Sequence, residues 1–188
     1  MQREITLFEE PGPANTEETL RAARRRAEQL QLQHAVFATS TGDSALKAAD
    51  VFDGSGVQLI GVTLHAGLWD IYDRPEPDAV REAMDRGVQF LTATHTLMGN
   101  VEAAIREKFG GLPPVELIAH TYYTFSQGMK VAVEVAVGAA DAGLIPTDAE
   151  VVAMGGTNRG LDTAVVLSPA YSTSFFQTSV HEIIAMPR

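Results

Sequence analysis

Short strand-like runs alternate with helix-like segments along this chain, and that order of elements is the strongest constraint on its fold. Ile5–Phe8, His34–Ala38, Val57–Leu64 and Val88–Thr92 are brief and largely apolar, as buried strands are. Helical segments fall between them. In the first, Leu20, Ala23, Ala27 and Leu30 recur at spacings of three or four; a second covers about residues 45–52; a third covers 75–87 with Val80 and Met84 turned inward. Strands separated by helices pair in parallel and need both faces of their sheet covered. The expected fold class is α/β: a single three-layer domain over residues 1–188, with a mainly parallel sheet and helices on both faces.

Two more helices are expected over Asn100–Phe109 and Val115–Phe125, separated by residues 110–114. The next segment gives conflicting signals. Val131, Val133, Val135 and Val137 alternate with other residues at a strand's period, yet the run continues through Gly138–Gly143 as a helix ending at glycine would. A strand would leave a long structureless connection to Glu150, so a buried helix is the expectation. Val151–Met154, Ala164–Leu167 and Val180–Met186 close the chain as strands. Near the start, Pro11–Gly12–Pro13 ends the first strand, and Asn15 with Glu18 reads as N-cap and capping-box partner of the first helix. Glu17 and Arg21 pair on its outer face, and Arg24–Arg25–Arg26 is expected to form a solvated face.

The 188 residues carry 14 basic and 24 acidic side chains, a net charge of −10. That charge argues against nucleic acid as a partner, because such affinity rests on Lys and Arg neutralising phosphates. A small anion is still admitted, since main-chain N–H groups at a helix N-terminus bind phosphate without a basic surface. The chain has no cysteine, which removes disulfides, thiolate ligands and a cysteine nucleophile. Apolar residues make up 45% and no run approaches a membrane span, so a folded protein with no membrane partner is expected. Met1–Gln2–Arg3–Glu4 lacks the apolar core of a signal peptide, which makes cytoplasmic the expected location. A homo-oligomer stays open.

In an open parallel sheet, ligands bind beyond the carboxyl ends of the strands. That rule selects Asn15 and Thr16 after the first strand and Thr39, Ser40, Thr41, Gly42, Asp43 and Ser44 after the second. It selects His65 with Gly67 after the third, His95 after the fourth, and Gly155, Gly156, Arg159 and Gly160 after the strand at Val151–Met154. The 39–44 turn sets four hydroxyls and a glycine before a helix N-terminus, where dipole and donors favour phosphate. Equally, Asp43 or Ser44 is an ordinary N-cap, and Asp43 puts negative charge where an anion would go. The 155–160 loop lacks G-x-G-x-x-G spacing. Its glycines can let the backbone approach a ligand and Arg159 can pair with phosphate, or it is a surface turn with a solvated arginine.

His65 and His95 fall just past neighbouring strand ends and can face one pocket, in proton transfer, in ring contact or as structural groups. His34, His120 and His181 lack that placement and are read as structural. With no His-x-x-x-His or His-x-His pairing, no metal site is expected. Glu134 interrupts an apolar run; facing inward it must be paired and becomes an acid/base candidate, while an outward or inter-subunit position is the expectation. No G-x-x-x-x-G-K-[ST] loop or G-x-S-x-G elbow occurs. Gly42–Asp43–Ser44 matches a tripeptide of serine esterases, but their downstream Asp-x-x-His pair is missing. Trp69 and Tyr72 are read as packing rather than as a lid.

The stretch from Ala38 through Thr39–Ser40–Thr41–Gly42–Asp43–Ser44 to Ala45, leading to Ile60–Gly61–Val62–Thr63, resembles the C-terminal domain of pyruvate kinase. So does the late glycine-rich loop followed by Asp162–Thr163–Ala164–Val165–Val166. Further blocks cover nearly the whole chain: Pro11–Gly12 with Asn15–Leu20, His65 with Gly67, His95 with Gly99, Val133–Glu134 with Ala139–Ala140–Asp141, Ile145–Pro146, and Glu182–Arg188. These blocks are similar to small stand-alone proteins built like that domain. The resemblance implies a phosphate held by the Thr/Ser/Gly/Ser turn and flavin mononucleotide (FMN) as a candidate cofactor in the strand-end pocket. It implies no pyruvate kinase activity, since the kinase's catalytic barrel is absent. Ser40 and Asp43 stand where the kinase turn carries basic residues, so a single phosphate, as in FMN, suits this chain better than a sugar bisphosphate. The expectation is binding of a small phosphorylated ligand. A flavin-dependent oxidoreductase and a flavin-free sensor of phosphorylated metabolites are the alternatives.

Overall fold

Side chains alternate along the central strands between two apolar cores, and this alternation organises the whole molecule. Phe37 of one strand and Met154 of its neighbour enter one core, while Val36 and Ala153 enter the other. The computed structural model describes residues 4–188, so the expectation made on Met1–Gln2–Arg3 lies outside the described residues. Within them one seven-stranded sheet forms, from β1 (Thr6–Phe8), β2 (His34–Ala38), β3 (Gln58–Leu64), β4 (Val88–Ala93), β5 (Val151–Gly155), β6 (Thr163–Ser168) and β7 (Ser179–Pro187). Their order is β1-β7-β6-β5-β2-β3-β4. β1 pairs with β7, β5 with β2, β2 with β3 and β3 with β4 in parallel, and β6 runs antiparallel to both its neighbours.

The helices are α1 (Thr16–Leu30), α2 (Asp43–Val51), α3 (Pro77–Asp85), α4 (Val101–Phe109), α5 (Pro114–Tyr123) and α6 (Gln127–Asp141). α1, α2 and α3 cover one face of the sheet; α6, with α5 packed on it, covers the other. The fold is thus a single α/β domain with a mostly parallel sheet and helices on both faces, as expected. The valine-rich segment is helical. Val133, Val135 and Val137 are all buried because α6 is enclosed by the sheet and by its neighbouring helix, and a helix buried all round shows no polar stripe. No helix among the described residues is long and apolar enough to cross a membrane.

Four local expectations are corrected. Asn15 precedes α1, but its side chain caps nothing there and donates to the Glu10 carbonyl at 2.8 Å; Glu18 pairs with Arg25 instead of closing a capping box. Arg26 does not belong to a solvated face. It is buried and donates through Nε and Nη2 to Glu182 of β7 at 3.0 and 2.7 Å. Met84 is 55% exposed, because α3 is a single short helix whose inward position is filled by Ala83. Finally α2 begins at Asp43, two residues earlier than the apolar spacing suggests.

α6 approaches the sheet so closely that two glycines meet at the contact. A Cβ on Gly155 of β5 would lie 2.7 Å from the Ala132 nitrogen, and one on Gly128 would run into Asp162 and Thr163. Main chain cannot yield as a side chain can, so the overpacking cost falls on the fold. Gly155→Ala should lose about 1–3 kcal/mol, a fall of several degrees in Tm for a chain of this size. Gly138→Ala, in the same helix with nothing within 4 Å of its Cβ, should instead gain about 0.5–1 kcal/mol. Thermal unfolding of the two variants reads the contrast directly.

Candidate functional site

The connections leaving the central strand β2 and entering its neighbour β5 lie on opposite faces of the sheet, and a cleft of about 340 Å³ opens where they part, beyond the carboxyl ends of the strands. That is where ligands sit in open α/β sheets, and the volume is at the lower end of roughly 300–1,000 Å³ usual for small-molecule sites. The turn after β2 forms one wall, with Thr39, Ser40, Thr41, Asp43 and Ser44. α6 forms the other, with Gln127, Lys130, Val131 and Glu134. Val62 and Leu64 of β3, with Met98 and Tyr123, add apolar surface, and Tyr72, Asp73 and Arg159 stand among the lining residues. α1, α2 and α6 all begin at this cleft, with Thr16, Asp43 and Gln127 among its lining.

The turn is shaped by its own hydroxyls. Thr39 Oγ1 accepts from the Gly42 amide at 3.2 Å and Thr41 Oγ1 from the Asp43 amide at 3.3 Å. Each therefore spends an acceptor lone pair and keeps its O–H hydrogen for a ligand oxygen. Gly42 has a φ of 112°, which only glycine adopts without strain, and no side chain caps α2. Beyond the Asp43 amide, which Thr41 takes, the N–H groups of the first turn of α2 have no side-chain acceptor, and the helix dipole stands behind them. Asp43 is exposed, so solvent screens its charge.

Opposite the turn lies a buried ionic cluster. Lys130 donates to Glu134 Oε2 at 2.6 Å, one helical turn along α6. His95 Nδ1 reaches the same oxygen at 3.1 Å, and the Leu97 amide donates to Oε1 at 2.8 Å. The other His95 nitrogen, Nε2, faces the Thr63 carbonyl at 3.3 Å, so both ring nitrogens meet oxygen. Exposure is 0% for Lys130, 1% for Glu134 and 7% for His95. Burial alone would push the Glu134 carboxyl up, but the hydrogen bond and charge of His95, with Lys130, outweigh it and hold the group below its ordinary range. Glu134 is therefore inward and paired, not outward as its surroundings in sequence suggest. Burial, with the Glu134 charge, pushes the nearby Tyr123 hydroxyl up, so that hydroxyl keeps its proton at neutral pH.

A second buried carboxylate fixes the loops. Asp162, 0% exposed, accepts through Oδ2 from the Gly12 and Thr157 amides at 2.9 and 3.0 Å, and through Oδ1 from the Thr163 hydroxyl at 3.0 Å. The Ser126 hydroxyl, 2.9 Å from Thr163 Oγ1, also accepts from the Met129 amide as the N-cap of α6. Thr16 Oγ1 donates to the Pro13 carbonyl at 2.8 Å and accepts from the Leu161 amide at 3.0 Å.

Most of the residues selected from the sequence converge here. Thr16, Thr39, Ser40, Thr41, Asp43, Ser44, His95, Gly156, Arg159 and Gly160 line the cleft. Asn15, Gly42, His65, Gly67 and Gly155 are not among its lining residues. Gly42 backs onto α3, where a Cβ would be 3.1 Å from Ala79 Cβ, and the His65 ring bonds the Gly99 carbonyl at 3.1 Å. Gly67 packs against that same ring. Gly155, Gly156 and Gly160 are small for a structural reason: a Cβ on each would strike other main chain of the protein, at α6, at Gly160 and at Pro13 respectively. Arg159 pairs with Asp73 at 2.6 Å, with both side chains substantially exposed. Sequence reasoning does not select Lys130, nor the lining residues Met98, Tyr123, Gln127 and Val131. For Lys130 the spacing of four from Glu134 is the signal, hidden because an (i, i+4) Lys–Glu pair usually marks a solvated face. No group of three or more possible metal-binding residues occurs among the described residues.

Glu134 makes a testable contribution to stability. Its folded carboxyl lies below the ordinary value of 4.5, so its stabilisation is complete above about pH 4.5 and is lost as pH falls through the folded value. Glu134→Gln, which leaves Lys130 buried without its carboxylate, should cost about 3–5 kcal/mol at neutral pH. Stability of that variant should also fall less steeply on acidification below about pH 4.5 than that of the parent chain. Urea unfolding across the acid range checks both effects.

The fold, the strand-end cleft and the turn after β2 together point to one family. The profile described as pyruvate kinase, alpha/beta domain, matches residues 17–167, which span α1 to β6 and include both walls of the cleft. This chain belongs to the pyruvate kinase alpha/beta domain family.

Proposed function

We propose that this chain binds a small phosphorylated ligand in the strand-end cleft, with FMN as the ligand that fits the cleft's two walls. The observation that carries the reading is the uncapped N-terminus of α2, opening beside the hydroxyls of Ser40, Thr41 and Ser44. Main-chain donors, a helix dipole and hydroxyls hold a phosphate without a basic surface, which suits a chain of net charge −10. Beyond the turn, Leu64, Val62, Met98 and Val131 offer apolar contact and Tyr72 and Tyr123 offer rings for a planar group.

A flavin, when bound, supplies reversible electron transfer. In this chain the turn would hold the phosphate and the apolar lining would exclude water from the ring. Both nitrogens of His95 are engaged with Glu134 and Thr63, which supports a binding role over proton donation.

Fluorescence titration with FMN and with riboflavin, its phosphate-free counterpart, tests the reading. FMN should bind tighter by about tenfold or more, the worth of charge-assisted hydrogen bonds to one phosphate. Ser40→Asp, which sets a carboxylate in the turn without touching α3, should remove that preference with little change in Tm. Equal affinity for both compounds would move the phosphate elsewhere. A chain that ignores FMN but gains thermal stability from a sugar phosphate would be a metabolite sensor.

A further inference from the structure

The ionic cluster on the α6 side of the cleft is incomplete. An ammonium has three donors, and buried donors are almost always met by acceptors. Lys130 is fully buried, yet among the described residues its only hydrogen-bond partner is Glu134 Oε2. Glu134 supplies no more to it: Oε2 is shared with His95, and Oε1, which accepts from the Leu97 amide, makes no hydrogen bond to Lys130. Oε2 thus serves both Lys130 and His95, inside a site where water screens poorly. Lys130, Glu134 and His95 all stand among the lining of the cleft, so a group seated at that end is placed to supply the acceptors this cluster lacks.

We infer that the α6 end of the cleft is a second recognition site, which takes an anionic or electron-rich oxygen group at the far end of the phosphorylated ligand. This rests on the phosphate lying at α2, as proposed above. The wall that begins α2 and the wall formed by α6 belong to opposite faces of the sheet, so a ligand reaching both crosses the carboxyl edge of β2. A carboxylate on a small metabolite and the carbonyl edge of a flavin ring share the required chemistry. Lys130 supplies the charge and donors, and Glu134 fixes Lys130 and His95 in place.

Calorimetric titration of the full chain with matched probes tests the inference. 3-Phosphoglycerate and glycerol 3-phosphate have the same phosphorylated three-carbon frame and differ in a carboxylate against a hydroxymethyl group. If the ligand is a metabolite acid, the wild-type chain should prefer 3-phosphoglycerate by on the order of tenfold or more. The double variant Lys130→Met, Glu134→Gln removes both charges without stranding either. It should abolish that preference while inorganic phosphate binds as before. If the ligand is a flavin, the same variant should instead weaken FMN by a similar factor, with no preference between the three-carbon probes.

A wild-type chain that binds phosphate, does not distinguish the two probes and holds FMN no better than the double variant would overturn the second site alone. Failure of every phosphorylated probe to bind the wild-type chain would overturn the phosphate reading together with it. The metabolite-acid arm is read in the wild-type chain and needs no variant, and the flavin arm is read on a double variant whose Tm and inorganic phosphate binding match the wild type.

Discussion

Asp162 is a carboxylate shut away from water, and the carboxyl edge of the sheet depends on how it is satisfied. Its three donors come from the segment after β1, from the loop after β5 and from the first residue of β6. A buried carboxylate is tolerable only when such donors replace its water, so each donor segment is held where the charge needs it. Through Thr163 and Ser126 the same network reaches the first turn of α6. One side chain thereby couples the start of α6 to the loops that border the cleft.

That coupling explains which parts of the molecule could be read in the sequence. Element order was legible because period and length survive without knowledge of partners: β2, β3 and the α6 segment lie where their apolar patterns place them. What could not be read depended on residues distant in sequence. Arg26 is buried because Glu182 lies 156 positions away in the chain and beside it in space. Glu134 turns inward because His95 and Lys130 compensate it, and neither partner is recognisable as such from a valine-rich run. Asn15 looks like an N-cap in isolation, but the segment before α1 bends to serve Asp162 through Gly12, and the Asn15 side chain turns to Glu10.

The glycines of the 155–160 loop illustrate a similar ambiguity. Small residues near a ligand edge allow either a ligand or another piece of main chain to come close, and sequence alone does not separate the two. Here the protein's own backbone takes the space, so Gly155 and Gly156 contribute to the site by letting α6 and the loop close up. The wall that meets a ligand is therefore built mainly by the turn after β2 and by side chains of α6. These two walls differ in character, one of hydroxyls and amides, the other of fixed charges.

Three helices start at the cleft, and their aligned peptide dipoles direct partial positive charge toward it. This field belongs to the backbone and has no proton to gain or lose. Surface acidity makes the molecule as a whole repel anions more strongly as pH rises, whereas the pull of the helix ends stays constant. Over the neutral range the cleft should therefore act as a local attractor whose strength is set by the fold, with ionic strength rather than protonation as its main external control.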